Sequence, residues 1–338
     1  MRKIIIIIAV ILAIAVSAIL LINRGKKVSV EKNGSTSTPS PTISTNTQIV
    51  KVGTVGIALP FSFVAAQEKG FFEKNNLTIK NTEVLGVAAQ SLASGQIQFL
   101  LTRPATPILA TAEGADIKWV ATLERTYSYS FFSDKPKNLI KKVGSNNAGT
   151  NDYYATIIAL SALGIDPKKV EFVFAKDTNS KVLLFKNNAV DAGGLGISST
   201  IRLQKDIPEN YKELINLSDA PKAIVPDGVL TTGKFLSESP LVVKSFIKAL
   251  IEASNWAKNN PKESVMIIEK KYSLKEDLAK KIYDDFLKTT KDNDFTSDPS
   301  LFKASFDAAV YGNPKVATFD INTFFTNDAV SDARKDIK

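Results

Sequence analysis

From Ile49 onward, short apolar runs of about five residues alternate with amphipathic stretches of about ten, and this alternation restricts what the chain can become. Strands separated by helices must run parallel, because each helix carries the chain back across the sheet. A parallel sheet then needs cover on both faces. Val50–Ala58, Leu77–Leu85, Ile97–Leu101 and Ile117–Leu123 read as strands, with helices at Val64–Lys74, Val87–Ala93 and Pro104–Glu113 between them. Gly70, Gly95 and Gly114 punctuate the turns. A second round follows, with helices at Tyr153–Leu163, Ser180–Lys186 and Ser198–Lys205 and strands at Val170–Ala175 and Val190–Gly193. The segments LASGQIQF (92–99) and LFKNNAVDAG (184–193) share one pattern of helix end, polar turn and short strand, which points to two similar lobes. The last third is helical. Val242, Phe246, Leu250, Ala253 and Trp256 form one stripe over Pro240–Asn260, and Lys262–Lys271 and Leu274–Lys288 follow as helices.

The N-terminus is of another kind. Residues 4–22, IIIIIAVILAIAVSAILLI, carry no charge and would span roughly 28 Å as a helix, close to the apolar thickness of a bilayer. Residues 1–30 therefore read as an uncleaved membrane anchor, the alternative being a signal peptide cut after Ala18. Flanking cations on both sides (Arg2, Lys3; Arg24, Lys26, Lys27) leave the orientation open by charge alone. Residues 31–48, rich in Ser, Thr, Asn and Pro, read as a disordered linker.

Composition removes several chemistries. The 338 residues include no cysteine and no histidine, so disulfides, thiolate nucleophiles, Ser–His–Asp hydrolysis and His-held metals are all absent. No catalytic residue, cofactor or metal site is expected. Much of the formal charge of +9 belongs to the N-terminal segment, which holds six cations and one anion by residue 48. The remainder has no concentrated basic face, and no nucleic-acid partner is expected.

Binding residues are sought where strands end and helices begin, because helix N-termini present unpaired N–H groups and a partial positive charge. After the first strand, Phe61 is a candidate cleft wall and Ser62 a candidate helix cap or ligand contact. After the third, Thr102 and Arg103 precede Pro104, and Arg103 is placed to clamp a carboxylate, sulfonate or phosphate. Thr150 and Asn151 open the first helix of the second round behind Gly149, one or the other supplying its capping side chain and both being candidate ligand contacts, and Asp152 in its first turn suits the helix dipole with or without a ligand. Gly194–Ser198 reads as a loop, with Gly196 and Ser198 lining the cleft. It lacks the third glycine of a dinucleotide fingerprint. Tyr127 and Tyr129 follow the fourth strand and either cover the ligand or pack a hinge. The acidic run Asp292, Asn293, Asp294, Asp298 lacks the calcium-loop spacing and reads as a solvated turn.

Ala66–Leu77 (AQEKGFFEKNNL), followed by LASGQIQF, GTNDYYATIIALSALGIDPKKVEFV (149–173), NNAVDAGGLGIS (187–198) and DGVLTTGKFLSESPLVVKSFIKALIEASNWAKNNP (227–261), resembles the nitrate/sulfonate/taurine-type and thiamine-precursor-type substrate-binding proteins of ABC importers. The resemblance implies a two-lobed α/β fold of the type II periplasmic-binding-protein kind, with lobe 1 formed by 49–128 plus 225–338 and lobe 2 by 129–224. It implies an extracytoplasmic, monomeric receptor that closes on a small organic anion or heteroaromatic precursor and delivers it to an ABC permease in the membrane. Gln98 and Leu100–Pro104 depart from the family pattern, which bears on the ligand class and not on the fold. The alternatives are a tethered ligand-sensing domain and a pyrimidine-precursor enzyme, the latter disfavoured by the missing histidines.

Overall fold

A computed structural model describes residues 47–55, 59–84 and 86–337. The expected anchor at 1–30, nearly all of the expected linker and the end of the first expected strand lie outside them. Within them, ten strands form: β1 (Gln48–Thr54), β2 (Leu77–Glu83), β3 (Phe99–Thr102), β4 (Lys118–Glu124), β5 (Tyr129–Ser133), β6 (Lys142–Asn146), β7 (Glu171–Ala175), β8 (Ala192–Gly196), β9 (Lys212–Asn216) and β10 (Asp227–Thr231). The helices are α1 (Phe61–Glu68), α2 (Phe71–Lys74), α3 (Ala88–Ala93), α4 (Ala105–Ala112), α5 (Asn151–Ala162), α6 (Thr178–Lys186), α7 (Ile197–Leu203), α8 (Gly233–Glu238), α9 (Pro240–Asn259), α10 (Pro261–Tyr272), α11 (Glu276–Thr289), α12 (Pro299–Gly312) and α13 (Asp328–Lys335), with short 3-10 turns between some of them. None of the helices among the described residues is long and apolar enough to cross a membrane.

The strands assemble into two five-stranded sheets with the same logic. One has the order β2-β1-β3-β10-β4 and the other β7-β6-β8-β5-β9. In each, one strand runs antiparallel to its neighbours, β10 in the first and β5 in the second. Each of these follows a crossover, residues 125–128 between β4 and β5 and residues 217–226 between β9 and β10. The chain therefore leaves the first sheet, builds the second and returns. The paired motifs seen in the sequence fall at matching places, α3 leading to β3 and α6 leading to β8, each strand third in its sheet.

Packing follows from the apolar stripes. The α9 stripe buries Val243, Phe246, Ile247, Leu250 and Ala257 against the first sheet, where Phe246 stacks on Phe99 with centroids 4.0 Å apart and on Phe72 at 5.1 Å. Trp119, Phe302 and Phe324 pack on the other face of that sheet. The second sheet is covered by α5, through Tyr154, Ile157, Ile158 and Leu160, and by Phe185 and Tyr211 on its far side.

Three sequence expectations are corrected. The helix expected over Val64–Lys74 and ending near Gly70 is α1, which starts three residues earlier, at Phe61, and stops before Gly70, whose φ of 71° lies in the left-handed region; Phe71–Lys74 form the separate turn α2. The strand at Val190–Gly193 is displaced to Ala192–Gly196, so Gly194–Gly196 are strand residues and not loop. Strands β5, β6, β9 and β10 had no sequence assignment. They are short, and β5 (YSFFS) and β6 (KVGSN) mix serine, glycine and charge with their apolar residues.

Candidate functional site

The carboxyl ends of the parallel strands and the amino ends of β5 and β10 meet between the two sheets. On the first sheet, the ladder places Asp227 of β10 opposite Glu124 of β4, and Gly228 opposite Thr102 of β3. Three adjacent strands thus deliver Glu124, Asp227 and Arg103 to one spot. Two carboxyl groups facing each other across a ladder repel, and the site answers in two ways. Arg103 pairs with Asp227 at 3.5 Å. Glu124 is pushed up to about 8, first by burial and then by Asp227 and Asp285, with Arg103 opposing. It therefore holds its proton at neutral pH.

The Arg103 guanidinium lies 3.4 Å above the Tyr127 ring, a cation–π contact in a desolvated place. Tyr127 is seated by Gly196, where a Cβ would stand 2.0 Å from the tyrosine hydroxyl oxygen. Burial and the neighbouring carboxylates raise the Tyr127 hydroxyl, and burial raises Asp227 against the pull of Arg103. From α11, Asp285 accepts a hydrogen bond from Ser128 of the first crossover, and burial raises its carboxyl despite that bond. Leu59, Pro60, Phe61, Ile197, Ser198, Tyr272, Ile282 and Phe286 complete the wall around a cavity of about 50 Å³. Phe61 meets Phe286 edge-on with centroids 5.2 Å apart.

Above this cavity two hydrogen bonds join the sheets' loops. Asn151 Nδ2 donates to Thr102 Oγ1 at 2.8 Å, and Thr106 Oγ1 donates to the Gly149 carbonyl at 3.2 Å. A space of about 50 Å³ holds one or two waters. A ligand enters only when the walls part.

Of the residues singled out in the sequence, Phe61, Arg103, Tyr127 and Ser198 line the cavity, Gly196 backs Tyr127, and Thr102 and Asn151 bridge the cleft. Ser62 does not fit its expected capping role, and Thr150 fits as a helix cap but not as a cavity residue. Ser62 is not a cap: Pro60 occupies that position, while Ser62 is 2% exposed with its hydroxyl unpartnered in the first turn of α1. Thr150 caps α5, accepting from the Tyr153 N–H at 3.3 Å, and is not among the lining residues. Asp152 does more than meet the helix dipole. It accepts from the wholly buried Lys181 at 2.5 Å, from the Asn146 N–H at 2.8 Å and from Tyr129 at 3.2 Å, so Tyr129 packs inside the second lobe and does not cover a ligand. The acidic run is structural: Asn293 donates to the Thr122 and Leu123 carbonyls and Asp298 caps α12. Among the described residues no cluster of acidic groups could hold a metal ion.

Sequence reading missed Glu124, Asp227, Asp285, Tyr272 and Phe286. Glu124 closes an otherwise apolar strand, and Asp285 shares a helix face with Ile282, three residues away; both were available as signals. A larger groove of about 630 Å³ between α5 and α12 is lined mainly by apolar side chains and has no comparable convergence of charge.

The model of the family described as NMT1/THI5 like matches residues 61–264, more than half of the chain. The chain belongs to that family. A Brucella abortus (strain 2308) protein named only as a candidate binding protein is 26% identical to this NMT1/THI5-like chain over 228 residues, covering 65% of this chain and 70% of the relative. The periplasmic sulfonate-binding protein of a Methylobacillus flagellatus KT transporter superposes with a TM-score of 0.67 at 16% identity, covering 86% of this chain and 95% of that one. A desulfurization enzyme superposes with a TM-score of 0.62 at 12% identity, covering 86% and 100%. The NMT1/THI5-like chain therefore has the two-lobed type II periplasmic-binding-protein fold, with the cavity described above at the junction of its sheets.

Proposed function

We propose that this protein is the extracytoplasmic solute receptor of an ABC-type importer, tethered by its apolar N-terminal segment. Lobe 1 (49–128 plus 225–338) and lobe 2 (129–224) close over a small molecule and present it to a membrane permease. The observation that carries this reading is the cavity itself, walled by the first sheet, the first crossover, α7 of the second lobe and α11, and bridged by Asn151–Thr102. Such a cleft couples occupancy to shape, which is what a transporter can read. Of the two ligand classes that the resemblance implies, the small organic anion suits this wall poorly, because Arg103 is already paired, while the rings of Phe61, Tyr272 and Phe286 suit a heteroaromatic molecule.

The absence of cysteine from the sequence makes the test direct. Lys80→Cys and Lys168→Cys place one label on each lobe of the full-length chain in detergent. A bound ligand is expected to replace a broad inter-label distance distribution with one narrow population. A ligand that binds while the distribution stays unchanged would remove closure, and with it the receptor reading. The enzyme alternative keeps one supporting observation, the protonated Glu124 beside Asp227, and requires that the bound molecule be recovered chemically altered.

A further inference from the structure

The charge of the cleft is opposite to that expected for an anion receptor. Arg103 is committed on two sides, to Asp227 at 3.5 Å and to the Tyr127 face at 3.4 Å. The helix N-terminus that would greet an anion, that of α5, has its Tyr153 N–H taken by the Thr150 side chain, and its first turn carries a carboxylate, Asp152, held by the Asn146 N–H and the Lys181 ammonium. Against one engaged cation the cavity wall carries three carboxyl groups, Glu124, Asp227 and Asp285. Glu124 forms no ion pair among the described residues, and Asp285 is met by a serine hydroxyl. Lys288, on the same helix as Asp285, is drawn away to Asp219 at 2.6 Å. An anion entering here would find its only cation already shared and Asp285 without one, whereas a cation would pair with Asp285 and relieve the crowding of Glu124 and Asp227 built into the β4–β10 ladder.

We infer that the cleft takes a small organic cation, an amine or amidine with several N–H donors, and not an anion; this rests on the receptor reading above. The carboxyl groups are spread around a cavity and do not converge as metal ligands, which selects an organic cation over a bare ion. The rings of Phe61, Tyr272 and Phe286 supply apolar and cation–π surface for its body. Nε of Arg103, buried and without a partner, asks for one acceptor atom, which a hydroxyl or ring nitrogen provides without a negative charge.

Binding is then coupled to a proton. Glu124 faces Arg103, Asp227, Asp285, Tyr272 and the Phe61 N–H, and gives up its proton to pair with the incoming cation. Affinity for a cation therefore rises with pH up to about 8, by at most about tenfold per pH unit.

The test uses the full-length protein in detergent, with benzamidine and agmatine as cationic probes and isethionate and nitrate as anionic ones, followed by calorimetry and by the inter-lobe labels. Benzamidine or agmatine is expected to bind and narrow the label distribution, weakening at least about tenfold in Glu124→Gln and in Asp285→Asn. The pH dependence should vanish in Glu124→Gln. Asp227→Asn, which frees Arg103, should shift selectivity toward isethionate. If isethionate or nitrate binds the wild type and closes it, the cation assignment falls and the receptor reading stands. If neither cation binds, or binding survives both carboxyl substitutions unchanged, the assignment also falls. Binding without closure would strike the receptor reading separately.

Discussion

The two sheets share one strand order and one antiparallel insertion, yet they use charge in opposite ways. In the second lobe, Asp152 forms an ion pair with an ammonium, that of Lys181, sealed inside the fold, and also accepts from Tyr129, Ser145 and the Asn146 N–H. In the first, Arg103, Asp227 and Glu124 crowd the sheet edge that opens on the cleft. The sealed group is satisfied and rigid. The open one is left with a strained surplus, a protonated Glu124 and an unpartnered Arg103 Nε. Shared topology fixes where a site lies, and the charges placed there fix what it can hold.

The comparison breaks most visibly at Lys181. Lys181→Met leaves the largely buried Asp152 carboxylate without its cation and should cost about 3–5 kcal/mol in chemical unfolding. Arg103→Met, beside groups that can take up protons, should cost clearly less. Equal losses would mean that the two charge sites are not different in kind. Next comes Gly194→Ala, which forces a methyl to within 2.1 Å of the buried Tyr129 ring. Overpacking of this sort costs about 1–3 kcal/mol, and the damage should show as lost amide protection in the second lobe alone. A smaller effect is expected from Asn151→Ala, which deletes the bridge to Thr102 worth about 1 kcal/mol. It should widen the inter-lobe label distribution without lowering the unfolding midpoint of either lobe by a comparable amount.

A separate effect is on pH dependence. Because the folded Glu124 sits at about 8 against 4.5 for the ordinary group, the folded protein binds the extra proton between those values. Its contribution to stability is then present at low pH and is lost as pH rises through this window. Wild type should lose stability from about pH 5 to about pH 8 relative to Glu124→Gln. A difference that is flat across the window would show that Glu124 titrates normally.

Local pattern was enough for many elements. The helix Pro240–Asn259 was legible because proline marks its start and its end, and because one stripe at helical spacing carries the buried residues. The parallel strands of the first lobe were legible as apolar runs between turns. β5 and β10 were not, since each belongs to a sheet only after the chain has crossed, and nothing local announces the crossing. The same holds for the site. Arg103, Phe61 and Tyr127 sit where a strand visibly ends, so position alone nominated them. Glu124 and Asp227 are separated by most of the second lobe in sequence and become neighbours only through the β4–β10 ladder.

By itself, then, the sequence determined the alternating α/β class, the two similar halves, the absence of cysteine and histidine chemistry, and the strand ends at which a ligand would be sought. These depend on periodicity and composition, which act over a few residues. Only the tertiary structure decided that Asp227 claims Arg103, that Asp152 pairs with Lys181, and that Glu124 is pushed toward its protonated form. Those are consequences of burial and of charge brought together across long stretches of chain, where the loss of water makes each pairing count far more than it would at a surface.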